Sequence, residues 1–470
     1  MRVEQIYTGC LAQGAYYVES NGEVAIIDPL REVSPYMERA AKDNAKIKYI
    51  FETHFHADFV SGHVTLAKNT GAKIVFGPNA ETSYEAYIAK DNEEFKVGDV
   101  TIIALHTPGH TMESTSYLLR DKNGKDYALF SGDTLFLGDV GRPDLAQKEG
   151  VLTEEDLAGF LFDSLRTKIM PLADDVIVYP AHGAGSACGK NLSSETVGTI
   201  GNQKETNYAL RADMTKEEFI KEVTDGLLPP PAYFPLNVKL NKEGYQHIDE
   251  IITKGTAELS VKDFERIANE TDALILDVRH QSEFIKGFIP RSIFIGIDGG
   301  FAPWVGALIK DIKQPILIVA PEGREEEVII RLSRVGFDNT LGCLRGGFTA
   351  WKNTGKEVDT LKSVSAETLE KEMNENKVPV FDVRKPGEYE SEHIIDVPST
   401  PLDYLNNHIN EFPTDTDFYV HCAGGYRSVI ASSILKARGI HNVIDVAEGY
   451  NAIKETSILR TKTVCPSTLK

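Results

Sequence analysis

At 470 residues the chain is too long for a single hydrophobic core and is expected to form two to four domains of ordinary size. Its 50 basic and 70 acidic residues leave a net charge of -20, which argues against a nucleic-acid backbone or an anionic membrane surface as partner. Five cysteines (Cys10, Cys188, Cys343, Cys422 and Cys465) lie far apart with no CxxC or Cys/His spacing, so neither a disulfide framework nor a structural zinc site is indicated. Reduced thiols and the absence of an apolar run of signal-peptide or membrane-span length make a cytoplasmic protein the expectation.

Short apolar runs ending in polar residues dominate the first ~185 residues and read as buried strands. They are EVAIID (23–28), IKYIFE (47–52), KIVFG (73–77), VTIIALH (100–106), DYALFSGD (126–133) and DDVIVYPAHG (174–183). Histidine, aspartate or threonine closes many of them, and such strand ends are where α/β and sandwich enzymes assemble their sites. MTKEEFIKEVTDGL (214–227) reads as a helix, and the prolines of LPPPAYFPLNV are expected to finish the first domain and lead to a linker near residue 245.

Beyond the linker the chain repeats itself. LILDVRHQSEFIKGFIP (274–290) lies over PVFDVRKPGEYESEHII (379–395), LSRVGF (332–337) over LKARGI (435–440), and RGGFTAW (345–351) over AEGYNAI (447–453). Strand-like and helical patterns alternate in each copy, which predicts two α/β domains with parallel sheets, about 257–357 and about 362–462.

Within FETHFHADFVSGH (51–63), His54 and His56 are two residues apart, a spacing that on an extended chain points both imidazoles the same way. His110 in the glycine turn of HTPGHT, Asp133 at the strand end of SGDTLF and His182 in YPAHG complete an ordered set of metal-ligand candidates. Together these motifs resemble the metallo-β-lactamase superfamily over about residues 1–245, which implies an αββα sandwich. Two-zinc hydrolases of that superfamily read HxHxDH in the first motif, where this chain has Phe59 after Asp58. A phenyl ring offers no lone pair to a second hard ion.

The departure directs the resemblance to the persulfide dioxygenase branch, which implies one Fe(II) per chain held by His54, His110 and Asp133, and no nucleotide cofactor. Two imidazoles and a carboxylate on one face are the triad of non-haem iron, with positions left for a persulfide sulfur and O₂. His56, Asp58 and His182 would then orient the ligands and bound oxygen. GDVGRPD (138–144) also resembles that branch and suggests that Arg142 pairs with Asp144 to brace the site.

In the second copy, YVHCAGGYRSVIA (419–431) delivers Cys422 into a glycine loop followed by Arg427 and an apolar helical run. Loop N–H groups, a helix N-terminus and an arginine together favour a thiolate or an anionic sulfur, so Cys422 is expected to be a nucleophile. HCAGGYRS, with FDVRKPGEY and the Glu392–His393 pair before it, resembles the rhodanese sulfurtransferases. That resemblance implies a persulfide on Cys422. The first copy has Ala320 at the cysteine position, a loop shorter by one residue, Phe288 at the place of His393, and three glutamates after Arg324 that would repel an anionic persulfide. It is expected to be a spacer or docking surface. Cys343 is expected to be structural, and Cys10 and Cys465 have no comparable context. Cys188, six residues after His182, is either a small residue in a tight turn or a thiol at the pocket mouth able to relay sulfur.

The whole order resembles the persulfide dioxygenase and sulfurtransferase fusions of sulfide detoxification. Implied partners are a low-molecular-weight thiol persulfide, O₂ and sulfite or thiosulfate, with a family tendency toward homo-oligomers. Two other readings are a zinc-dependent, glyoxalase-II-like thioester hydrolase fused to a sulfurtransferase, and a sulfur carrier or sensor.

Overall fold

The computed structural model describes residues 1–464 except Glu149 and Asn191, so Cys465 lies outside the described residues. The chain forms two compact units, Met1–Ile248 with the short segment Ser333–Gly336, and the rest of the chain from Asp249 onward.

In the first unit, β1 (Arg2–Thr8), β2 (Gln13–Ser20), β3 (Glu23–Ile27), β4 (Lys46–Phe51), β5 (Lys73–Phe76) and β6 (Tyr87–Ile88) form one sheet in chain order. A second sheet, in the order β12-β11-β10-β9-β8-β7, comprises β7 (Glu93–Val97), β8 (Val100–His106), β9 (Thr115–Arg120), β10 (Asp126–Gly132), β11 (Ile177–Pro180) and β12 (Gly198–Thr199). Side-chain alternation divides each strand between two cores. Tyr16 and Val18 of β2 meet Ile102, Tyr117 and Phe130 of the other sheet, whereas Ala15 and Tyr17 face the layer of Tyr36, Ala40 and Leu66 from helices Ser34–Lys42 and His63–Thr70. On the far side, Ile103, Leu118 and Leu129 pack against Leu157-bearing helix Glu154–Ser164 through Ala158 and Leu161. The result is the expected αββα sandwich.

One local expectation holds and one changes. Helix Lys216–Thr224 forms with a Thr215/Glu218 capping box, but the proline-rich segment after it does not remain irregular. Helix Phe234–Glu243 forms within it, because Pro235 sits in its first turn, where the missing N–H has no partner to lose.

The second unit holds both repeats. The first builds a parallel sheet β13-β17-β16-β14-β15 from β13 (Glu258–Leu259), β14 (Leu274–Asp277), β15 (Ile293–Phe294), β16 (Ile316–Val319) and β17 (Thr340–Leu344). The second builds β18-β21-β20-β19 from β18 (Ser363–Val364), β19 (Val380–Asp382), β20 (Phe418–His421) and β21 (Val443–Val446), also parallel. Strands such as Ile316–Val319 are buried along their whole length, which is why they read as unbroken apolar runs.

Each copy also carries the same buried fork. Arg279 donates through Nε and Nη2 to Asp277 and reaches the Gly287 carbonyl, and Arg384 makes the same contacts with Asp382 and the Glu392 carbonyl. Among the described residues no helix is long and apolar enough to cross a membrane.

Candidate metal centre and sulfur loop

The candidate ligands of the first unit come from segments that follow strands. His54 lies just beyond β4, His110 in the turn after β8, Asp133 at the residue after β10 and His182 two residues after β11. Close backbone approach makes the convergence possible. At Gly132 (φ +55°) a Cβ would stand 2.7 Å from the Thr53 side chain, and at Gly141 it would stand 2.0 Å from the Asp133 carbonyl and 3.0 Å from His110 Nδ1.

One ligand atom each from His54, His110 and Asp133 lies within 4.8 Å of the other two, and all three residues are buried. Asp133 Oδ2 is 3.4 Å from His110 Nε2 and 3.9 Å from His54 Nε2. Both rings are held with the Nε2 lone pair free. The Thr53 hydroxyl donates to Asp28 Oδ2 at 2.8 Å and so accepts from His54 Nδ1–H at 3.0 Å, and His110 Nδ1–H donates to the Arg142 carbonyl at 2.8 Å. Burial, with the neighbouring imidazoles, holds His54 well below the usual histidine range, so it is neutral at pH 7. His54 Nε2 and both Asp133 oxygens are buried without a hydrogen-bond partner. Buried orphan donors of this kind are costly unless a cation satisfies them, so the residues fit a bound metal ion.

His56 departs from the expected arrangement. β4 ends at Phe51, so the two-residue alternation of a strand no longer applies at positions 54 and 56. His56 Nε2 lies 3.1 Å from Asp28 Oδ1 and 3.4 Å from Glu52 Oε2. Burial alone would lower its pKa, but the two carboxylates outweigh this and hold it well above the ordinary value. Phe59 stacks on the same ring at 4.3 Å. His56 therefore turns its Nε2 to a buried acidic pair, while its ring lies 4.3 Å from that of His54.

A further group of donors lies alongside. Asp58, His182 and Cys188 place their ligand atoms within 4.8 Å of one another, with His182 Nε2 3.5 Å from Asp58 Oδ2 and 3.6 Å from Asp133 Oδ1. His182 Nδ1–H donates to the Ala12 carbonyl, which again leaves Nε2 free. Cys188 is 1% exposed, so it lies inside the pocket and not at its mouth. Burial, with Asp58 and Asp133 beside it, pushes its thiol pKa well up. The six-residue spacing from His182 allows this thiol a place at the pocket, and it closes the corner beside Asp58. Tyr233, unremarked in the sequence, is also buried near Asp58 and Cys188.

Arg142 joins the two groups. Its guanidinium takes Asp144 in a two-bond pair at 2.6 and 2.7 Å and donates to the Ala187 and Leu228 carbonyls, while its own amide donates to the Cys188 carbonyl. With its carbonyl on His110, this one residue orients a candidate ligand and anchors the Cys188 loop.

In the second unit Cys422 follows β20, and Gly425 (φ +87°) turns the chain so that its N–H donates to the Cys422 sulfur at 3.1 Å. Gly449 must lack a side chain, since a Cβ there would stand 2.2 Å from the Cys422 carbonyl. Helix Tyr426–Ala437 starts directly behind the loop. Arg427 is held by Glu388 in a two-bond pair at 2.6 and 2.8 Å. His393 stacks on Tyr389 and bonds its carbonyl through Nδ1.

The first copy contributes directly to this loop: Tyr426 donates to the Gly296 carbonyl at 2.7 Å and packs over Gly299. Its own loop carries Arg324 bound to Glu327 and Asp298, with Ala320 buried at the cysteine position. Cys343 is buried with its sulfur 3.4 Å from the Gly255 carbonyl.

These two sites belong to known classes of domain. The family model of the metallo-beta-lactamase superfamily matches residues 8–182, and that of the rhodanese-like domain matches residues 260–354 and 365–456. The chain thus carries a metallo-β-lactamase superfamily domain followed by two rhodanese-like domains. Among its relatives, the probable hydroxyacylglutathione hydrolase glo2 of Schizosaccharomyces pombe is 37% identical over 162 residues, 34% of this chain and 58% of the relative. Human mitochondrial persulfide dioxygenase ETHE1 is 27% identical over 221 residues, 47% of this chain and 78% of the relative. The chain spans 58%, 53% and 60% of three hydroxyacylglutathione hydrolases that it matches. A crystal structure described as a metallo-beta-lactamase from Staphylococcus aureus subsp. aureus COL superposes with a TM-score of 0.64 at 29% identity, covering 73% of this chain and 98% of that one.

Proposed function

We propose that the first domain is a persulfide dioxygenase using one Fe(II), and that the last domain is a sulfurtransferase working through Cys422. The observation that carries this reading is the buried cluster of His54, His110 and Asp133, two imidazoles and one carboxylate, in which His54 Nε2 and both Asp133 oxygens lack a hydrogen-bond partner. Bound there, Fe(II) supplies the redox chemistry that couples a persulfide to O₂. The overall change is RSS⁻ + O₂ + H₂O → RSH + SO₃²⁻ + H⁺.

The chain's own residues do the rest. Thr53 and the Arg142 carbonyl fix both histidine tautomers, and burial of the set keeps bulk water away. Asp58 and His182, beside Asp133, offer an acceptor and a free lone pair for the proton released as water is consumed. In the last domain, Cys422 takes the sulfane sulfur, and the Gly425 N–H and the helix N-terminus hold its charge. Sulfite made in one domain is a co-substrate for the other, giving thiosulfate.

The test is oxygen consumption by Fe-loaded protein with a panel of thiol persulfides, followed by product analysis. Sulfite should appear, His110→Ala should abolish uptake, and Cys422→Ser should leave uptake intact. No uptake with any persulfide by the native protein would sink the dioxygenase reading.

A second reading has specific support: the hydroxyacylglutathione hydrolases match at 30–37% identity, and Asp58, His182 and Cys188 form a further donor group beside Asp133. Two zinc ions per chain, thioester turnover and no oxygen uptake would establish that hydrolase instead.

A further inference from the structure

Between the end of β4 at Phe51 and the start of helix His63–Thr70 the chain forms neither a helix nor a strand of the sheets, yet every residue from 52 to 62 is buried. Irregular backbone in that position cannot give its N–H and C=O groups to water, so each needs a partner from elsewhere in the fold. This loop carries His54, His56, Asp58 and Phe59. Side chains meet part of the demand. Asp28 accepts from the Thr53 N–H at 2.8 Å, Glu113 accepts from the Phe55 N–H at 3.1 Å, and Tyr117 donates to the Glu52 carbonyl at 3.0 Å.

One residue outside the loop meets three of these groups at once. Asn241, 1% exposed on helix Phe234–Glu243, donates through Nδ2 to the His56 carbonyl at 2.8 Å and the Phe59 carbonyl at 2.9 Å, and accepts through Oδ1 from the Ser61 N–H at 2.9 Å. Both amide hydrogens are thereby used. The two carbonyls flank Ala57 and Asp58, so these bonds fix the backbone from which Asp58 reaches to 3.5 Å from His182 and on which Phe59 lies against the His56 ring. The main-chain carbonyl of Asn241 accepts in turn from the Tyr84 hydroxyl at 2.6 Å, which also bonds His63 Nε2. An aspartate at 241 would have the same shape without the donors, and an apolar residue would leave all three backbone groups unmet.

We propose that Asn241 is a positioning residue of the metal centre. Its bonds go to main-chain atoms and not to ligand side chains, so it acts through the loop: it holds Asp58 beside His182, and steadies the segment whose other end presents His54 to His110 and Asp133. The inference rests on the reading of His54, His110 and Asp133 as metal ligands and extends the site to a helix that carries none of them. Groups that orient ligands in this way are part of a metal site's affinity as much as the ligands are.

Hydrogen–deuterium exchange of the full-length, metal-free protein reads the positioning directly, and competition with a chelator for Fe(II) reads its consequence. Asn241→Asp keeps the shape and the bond from Ser61 but loses both donors. It should raise exchange across residues 55–62 about tenfold, with the rest of the first unit within about twofold of native, and weaken metal binding about 10–100-fold. Asn241→Ala, which also frees the Ser61 N–H, should do both at least as strongly and carries the comparison if Asn241→Asp folds poorly. Tyr84→Phe removes the bond to the Asn241 main chain and leaves the side-chain amide in place, so metal affinity should stay within about threefold of native. A loss equal to that of Asn241→Ala would reduce the role to helix docking and overturn the proposal. So would native exchange at 55–62 in Asn241→Asp, or a rise spread evenly over the first unit with metal affinity unchanged. Faster exchange confined to 55–62 in a protein that binds no Fe(II), native or variant, would uphold Asn241 as the anchor of this loop and remove only the metal-centre reading on which its role rests.

Discussion

The two rhodanese-like copies share the order of four parallel strands, the buried Asp–Arg fork and a glycine-containing loop after β16 and β20, yet only one has a cysteine at the head of that loop. In the first copy Ala320 is buried, Arg324 is consumed by Glu327 and Asp298, and Cys343 fills the slot of Asp445. In the second, Cys422 receives the Gly425 N–H and sits beside Ser428. Frame and chemistry are thus separable: the fork and the parallel sheet make the domain, and a handful of loop residues make the site. The copy without the loop cysteine still touches the other, because its Gly296 carbonyl accepts from Tyr426 beside the Cys422 loop.

Four measurements bear on that contrast. Cys422→Ser should reduce thiosulfate sulfurtransferase activity by roughly 10³-fold or more, since no other described cysteine occupies a comparable loop. Residual activity near the native level would mean that the two copies do not differ as the loops imply.

Next in size are Arg279→Met and Arg384→Met, which leave Asp277 and Asp382 buried and unpaired. Each should cost about 3–5 kcal/mol in denaturant unfolding, and by similar amounts if the forks are equivalent. A large inequality would show that one copy depends on its fork for more than folding.

The third compares the paired positions 343 and 445 through pH. Burial raises Asp445 from 3.8 to about 6, so the folded state favours the protonated acid; the stabilisation is full below about pH 4 and is lost as pH rises through about 6. The change is on the order of 3 kcal/mol, and Asp445→Asn should remove it from a stability–pH curve. Burial pushes the Cys343 thiol up to about 12, which moves the corresponding loss in the first copy to pH 9–12.

The smallest expected effect is that of Ala320→Cys. It should create no measurable sulfur transfer, because the first-copy loop is one residue shorter and Glu325 stands where Ser428 lies beside Cys422 in the second. Appearance of activity would show that the cysteine alone separates the copies.

Much of the architecture was legible because burial on both faces leaves an unmistakable apolar run, as in Val100–His106 and Ile316–Val319. The amino-terminal β1, whose residues RVEQIYT alternate charge and apolarity without a strong bias, and the short β9 escaped notice. Helix Phe234–Glu243 escaped for another reason: a proline that ends a helix at its interior can open one at its first turn.

At the site, the motif order singled out His54, His110, Asp133 and His182, each beside a glycine turn or strand end. The orientation of His56 depends on Asp28 and Glu52, the first of which lies on a neighbouring strand end, and could not be read from the two-residue spacing. Tyr233 comes from a loop far beyond Asp133 and nothing in its local sequence says which pocket it enters, whereas the six-residue spacing from His182 in a small-residue loop offered Cys188 a place at this pocket.

Linear order was sufficient for the succession of domain types, the internal repeat, the alanine at the cysteine position of the first copy and the kinds of donor available, because these depend on residue type and spacing along the backbone. Which donors share a site depended on packing. Asp58 meets His182 and Cys188, and Asp445 meets Ser363, through strands and loops that are distant in sequence, and only the folded sheets bring their atoms within a few ångströms. Hydrogen bonds and low dielectric act over that short range, so the chemistry of these residues is a property of their neighbours as much as of their own side chains.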